Sequence, residues 1–119
     1  MTYNNIINSL FLQFPFLEKK YLDEGNYIKG LPHLCYSIVF VPFIRQTVFK
    51  NDKKMLITIC NFMECMANSG DELVSELLAV SVLESIISER DLIKKLKQYM
   101  GLKTNQLLLI LEEAYGWES

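Results

Sequence analysis

The feature that most limits the fold of this chain is its single run of strand-like residues. Residues 38–41 read IVFV, and β-branched and aromatic side chains of this kind favour a strand. The sequence has no second run of this type, and a lone strand would leave its backbone N–H and C=O groups without partners. We therefore predict that "LPHLCYSIVFVPFIRQTVFK" is helical, with a bend or restart at Pro42. The residue types of 34–44 also suit an extended segment, and at the sequence level this alternative stays open.

The rest of the chain has the apolar spacing and the end signals of short helices. Candidate N-caps precede the segments: Thr2, Asp52, Ser69 with Glu72 as an S-x-x-E capping box, and Thr104. Glycines that can end a helix follow them: Gly25, Gly101 and Gly116. The pattern predicts an all-α fold, a single helical domain over residues 1–119. We expect six or seven short helices packed as a bundle or a short array of antiparallel helical hairpins.

The helix predicted from about residue 71 to Ser88 should be central, because ten of positions 71–87 are apolar. At about 100° per residue, four apolar residues share one strip of this helix: Leu73, Leu77, Val80 and Ile87. The carboxylate of Glu84 falls on the same strip.

An unpaired charge on a buried strip would cost several kcal/mol. We therefore assign Glu84 a structural role, in which it accepts hydrogen bonds from a loop backbone, from Arg45 or from His33. Trp117, the only tryptophan, is likewise predicted to pack against the core.

The chain offers little for catalysis or metal binding. His33 is the only histidine, and Cys35, Cys60 and Cys65 form no CxxC pair, so we expect reduced, buried thiols, no metal and no cofactor. His33 and Cys35 stand two residues apart and would point to different sides of a helix. The sequence has no Gly-rich phosphate loop and no nucleophile elbow, and we predict that the protein is not an enzyme.

The two halves of the chain differ in charge. Residues 1–60 carry seven Lys/Arg and four Asp/Glu, whereas residues 61–119 carry five and ten. An acidic surface suits a basic protein better than nucleic acid. Six acids are candidate partner-binding residues: Glu64, Asp71, Glu72 and Glu76 near the start of the central helix, with Glu112 and Glu113 as a second patch. The first group would equally serve to complement a helix dipole, and both interpretations remain open.

The first residues lack the pattern of a signal peptide, and the apolar stretches are shorter than the roughly 20 residues of a membrane span. We expect a soluble, cytoplasmic protein that has neither nucleic acid nor membrane as a partner.

Four stretches carry a family resemblance: "FPFLEKKY", "LPHLCYSIVFVPFI", "FMECMANSGDELVSELLAVSVLES" and "YGW". Together they resemble the small all-helical immunity proteins of bacterial contact-dependent growth inhibition and related polymorphic toxin systems. The resemblance implies a cytoplasmic inhibitor that binds the toxic domain of a cognate toxin, expected to be a basic nuclease, as a monomer in a 1:1 complex. The alternative is a helical adaptor that binds a peptide or partner helix in an apolar groove, with Phe40, Phe43 and Phe49 exposed near Pro42.

Overall fold

All regular structure in the described residues, 1–116 of the computed structural model, is helical. The seven helices are α1 (Ile6–Gln13), α2 (Leu17–Asp23), α3 (Pro32–Cys35, Tyr36–Phe40 and Val41–Lys50 in direct succession), α4 (Lys53–Ala67), α5 (Glu72–Leu77, Leu78–Leu83 and Glu84–Ile86 in direct succession), α6 (Arg90–Lys97) and α7 (Leu102–Ala114). Short 3₁₀ turns, Tyr3–Asn5 and Asn26–Ile28, precede α1 and α3. The predicted all-α fold of six or seven helices is confirmed. Trp117 lies outside the described residues.

The strand-like run lies inside α3, so residues 34–44 are helical. The segment Tyr36–Phe40 is a π-helix, in which the Val41 N–H donates to the Tyr36 carbonyl five residues earlier. Pro42 follows at once, in the first turn of the α-helical segment. A proline has no N–H to donate, and its ring crowds the carbonyl four residues before it in an α-helix. The change to the wider π turn accommodates Pro42 without breaking the helix.

α5 contains a second π segment, Leu78–Leu83. A π turn holds more residues than an α turn, so each residue rotates by less than 100° about the axis. Val80 is 45% exposed and Glu84 is half-buried, whereas Ser81, about one turn after Leu77, lies on the buried side. The predicted strip is wrong at Val80 and at Leu73, which is 52% exposed before the π segment begins, and it is too deep at Glu84.

The core is one cluster of buried side chains that includes residues of all seven helices. At its centre α5 packs against α3, α4 and α7, as predicted for the central helix. Four phenylalanines of the α1–α2 junction, α3 and α4 pack edge to face or tilted, with ring centroids 5.4–5.9 Å apart: Phe14, Phe40, Phe43 and Phe62.

Of the predicted caps, Asp52 is confirmed at α4, where its carboxylate accepts a backbone N–H at 3.2 Å. Two others are wrong. The N-cap of α5 is Asp71, and Ser69 instead accepts the Asp71 N–H with its hydroxyl. The N-cap of α7 is Gly101, so Thr104 lies within the first turn of that helix.

The Asp52 cap gives a first prediction. We expect Asp52→Ala to lower the free energy of unfolding by about 1 kcal/mol, because it removes the side-chain acceptor for an N–H of the first turn of α4. Asp23→Ala, at an exposed position of α2, makes the same chemical change and should stay within about 0.5 kcal/mol of the parent protein. Urea unfolding followed by circular dichroism measures both, and equal losses would contradict the assigned cap.

Candidate protein-binding surface

Glu64, a predicted partner-binding acid, is used inside the fold. It lies near the end of α4, and its carboxylate accepts the Lys103 and Thr104 N–H groups at 3.0 Å and the Thr104 hydroxyl at 2.8 Å. Asn68 donates a further hydrogen bond from its side-chain amide. Burial raises the pKa of Glu64, but these hydrogen bonds outweigh that effect and hold the pKa below its ordinary value. Glu64 therefore caps α7 from another helix. This internal role corrects the prediction that Glu64 lies on a partner-binding face.

Gly101 makes this cap possible. The φ of Gly101 is −77°, which any residue can adopt. The position therefore does not need the left-handed conformation that we expected for a helix-ending glycine. A Cβ at Gly101 would instead clash with the carboxyl group of Glu64. Glycine is needed here because the Glu64 side chain passes against the backbone at the start of α7.

Asp71 is also engaged within the fold. One carboxylate oxygen accepts the Leu73 N–H of α5 at 3.0 Å, and the other accepts the Tyr3 N–H at 2.9 Å. The side chain thus caps α5 and ties the first 3₁₀ turn to it. Its predicted partner-binding role is not supported by this geometry, because both oxygens already have donors.

Glu112, from the second predicted patch, is buried with 1% exposure. Its carboxylate accepts hydrogen bonds from Arg90 and from Lys97, the latter at 3.0 Å, and both cations are 30% exposed. Burial raises the pKa of Glu112, but the two cations outweigh this and lower it. The placement of Glu112 on a surface patch is wrong, because α7 turns this side chain toward α6. The neighbouring Glu113 is exposed.

The remaining two acids, Glu72 and Glu76, are exposed on the first turns of α5. Within residues 1–116 neither makes an ion pair. Two aliphatic residues of the same helix are also open to solvent, Leu73 at 52% and Val80 at 45% exposure. We name these four residues the acidic face of α5.

The residues that were predicted to have structural roles contact different partners from the ones predicted. The carboxylate of Glu84 lies beside the hydroxyl of Tyr115, just after α7, and raises the pKa of Tyr115. Arg45 binds Glu89 at 3.0 Å and the Ser85 carbonyl at 3.1 Å. The predicted link from Glu84 to Arg45 or His33 is therefore wrong, because Glu84 turns toward α7. Its contact with Tyr115 still joins the central helix to a neighbour.

His33 shares a hydrogen bond through Nδ1 with the hydroxyl of Ser81. This pair joins the start of α3 to the π segment of α5, and sequence spacing gave no sign of it. Ser81 is only 5% exposed, so the hydroxyl is not presented to a substrate. The pair is a structural contact between the two helices that contain π segments.

The two buried cysteines, Cys35 and Cys60, are not activated as nucleophiles. Burial raises the pKa of Cys35 and of Cys60 to about 12, which keeps both thiols protonated at neutral pH. Cys65 is exposed, contrary to expectation, because about 140° of helical rotation turns it away from Cys60 on α4. Among residues 1–116 there is no group of three His, Cys, Asp or Glu side chains that could hold a metal ion.

Comparison with protein families matched residues 7–115 to one described as a domain of unknown function, DUF7674. The chain belongs to the DUF7674 family. Searches of curated proteins and of solved structures gave no match. In the described part of this DUF7674 member, no helix is both long and apolar enough to cross a membrane.

The buried ion-pair network predicts different roles for two adjacent glutamates. Glu112→Gln removes the buried carboxylate that Arg90 and Lys97 both bind, and we expect a loss of about 2 kcal/mol in the free energy of unfolding, less than for fully buried cations. Glu113→Gln is the matched control and should change stability by less than about 0.5 kcal/mol. Chemical denaturation compares the two variants, and a similar loss in both would refute the network.

Stability should also fall in acid. The pKa values of Glu64 and Glu112 lie below the ordinary 4.5 in the folded protein, so the unfolded chain binds more protons as the pH decreases through this range. Their contribution is complete above the ordinary pKa and is lost as the pH falls through the lowered pKa values of the folded protein. Urea unfolding at several pH values should show this slope, and Glu64→Gln should flatten it. An unchanged slope in that variant would count against the Glu64 cap.

Proposed function

We propose that this DUF7674 member is an immunity protein, a non-enzymatic cytoplasmic inhibitor that binds the toxic domain of a cognate toxin. Its negative charge suits a basic partner domain, such as a nuclease. The observation that carries the proposal is the acidic face of α5, since its two carboxylates are left free after the fold has used Glu64, Asp71 and Glu112.

The acidic face of α5 has the composition of a protein-binding site. Leu73 and Val80 offer apolar surface that a partner could bury, and the flanking Glu72 and Glu76 offer charge. Apolar contacts supply much of the binding energy at such surfaces, whereas complementary charges speed association and set partner choice. Both kinds of residue lie on one helix, so they can meet the same partner.

The support under this face is rigid, which lowers the entropic cost of binding. Asp71 fixes the first turn of α5 through hydrogen bonds to Leu73 and Tyr3. Further along, the π segment packs against α3 and α4, and Glu84 contacts Tyr115. A partner would therefore meet side chains on an ordered helix.

Residues 61–119, which contain this face, carry ten Asp/Glu and five Lys/Arg, so this half of the chain has a net negative charge. Summed charge of one sign attracts an oppositely charged partner over distances of about 10 Å at moderate salt. A toxin that binds nucleic acid has the positive surface that this field would attract. The proposed inhibitor would act by covering that surface.

Charge reversal tests the proposal. We expect Glu72→Lys with Glu76→Lys to slow association with the toxin domain encoded beside this gene by about tenfold, and to weaken the salt dependence of the rate. Surface plasmon resonance at two ionic strengths measures both. Glu18→Lys with Asp23→Lys is the matched control, because it makes the same charge change at exposed positions of α2.

Two results would count against different parts of the proposal. If cells that co-express this chain are still killed by the neighbouring toxin, the chain is not its immunity protein. If protection is complete but both double variants bind alike, the protein is an inhibitor that uses another face.

A further inference from the structure

A groove between α2 and α3 is the other surface with a defined chemistry. Its volume is about 600 Å³. Its apolar lining comes from Phe16, Leu17, Val39, Pro42 and Phe43, and its polar rim from Lys20, Gln46 and Lys50. The predicted trio of exposed phenylalanines is thus only partly correct: Phe49 is 89% exposed, but Phe43 is half-buried and Phe40 is fully buried in the core.

Aromatic contacts hold the groove open in a fixed shape. Phe16 packs edge to face on Phe43 with ring centroids 5.2 Å apart, and Phe43 packs on the buried Phe14 at 5.4 Å. Phe16 nonetheless remains 55% exposed. An aromatic ring that is held from one side and open on the other offers preformed apolar surface, for which binding costs little conformational entropy.

The charge of the groove has one sign. Lys20 and Lys50 are its only ionisable lining residues among those described, and both are exposed. Lys20 pairs at 3.1 Å with Glu24, the residue that follows α2, whereas Lys50 makes no ion pair within residues 1–116. The lining is therefore apolar at the centre and cationic at the rim.

We propose that this groove binds a short acidic segment of another protein, one that places bulky apolar side chains between Phe16 and Phe43 and carboxylates beside Lys20 and Lys50. The concave shape favours a peptide segment, whose side chains enter a groove, over a flat lipid surface. A volume of about 600 Å³ is within the range of sites that enclose a small number of side chains. The proposal concerns a different surface and the opposite charge from toxin binding, and it does not rest on that function.

The experiment uses two defined peptides and the full chain. One labelled helical peptide has leucines at positions i, i+3 and i+7 flanked by glutamates, and the second has lysines in place of those glutamates. We expect the acidic peptide to bind in fluorescence anisotropy, with affinity that decreases as salt is raised. Amide chemical-shift changes in NMR spectra should be confined to residues 16–20 and 39–50.

Matched variants test the role of the rim. Gln46→Glu with Lys50→Glu should weaken binding of the acidic peptide by about tenfold or more, because two carboxylates would then face those of the peptide. Lys95→Glu with Gln98→Glu changes the same residue types at two exposed positions, one in α6 and one directly after it, and should leave affinity within about twofold. All four positions are on the surface, so each variant should fold.

Four results would overturn the proposal. The lysine peptide could bind as well as the acidic one, or shift changes could map instead to the groove between α1 and α4 near Leu12 and Asn61. Shifts in the groove that depend on protein concentration without peptide would identify a second copy of the chain as the occupant. Binding to vesicles of phosphatidylcholine and phosphatidylserine, lost in the Gln46→Glu, Lys50→Glu variant while neither peptide binds, would identify a lipid surface.

Discussion

The packing of the two π segments, in α3 and α5, holds the centre of the fold together. In α5 the hydroxyl of Ser81 faces inward and meets His33 of α3, whereas Val80 faces outward. Glu84, which follows the π segment, lies beside Tyr115. π turns are rare and short in proteins, so packing must stabilise this one. The acidic face begins before the π segment, because Glu72, Leu73 and Glu76 all precede Leu78.

Carboxylates have two roles in this protein, and the surroundings of each one decide which role it takes. Glu64 and Asp71 lie within reach of unpaired N–H groups at the starts of α7 and α5, and Glu112 lies between two cations. Each of them is hydrogen-bonded within the fold. Glu72 and Glu76 make no ion pair within residues 1–116 and lie exposed at the surface. An acidic sequence segment therefore overstates the acidity of the surface that it forms.

Features that depend on neighbouring residues in the chain could be predicted, and features that depend on distant ones could not. Apolar spacing predicted the helices, and Asp52 was recognisable as a cap because its acceptor and the N–H that it binds lie three residues apart. The Glu64 cap joins residues 40 apart, and the burial of Glu112 depends on Arg90 at a separation of 22. The π segments were also missed, because periodicity at 100° per residue assumes uniform α-helix. The acidic face could be predicted in part, since Glu72 and Glu76 were among the candidates.

The Glu64 cap makes the last helix conditional on the rest of the chain. Gly101 has no side chain that could accept the first N–H groups of α7, and the acceptor that they use belongs to α4. If α7 separated from the body of the protein, it would lose its apolar contacts and its N-terminal hydrogen bonds in the same step. Fraying of the last helix therefore carries a higher free-energy cost than for a helix that contains its own cap. Separation of α7 from α4 and loss of its N-terminal cap are therefore one event.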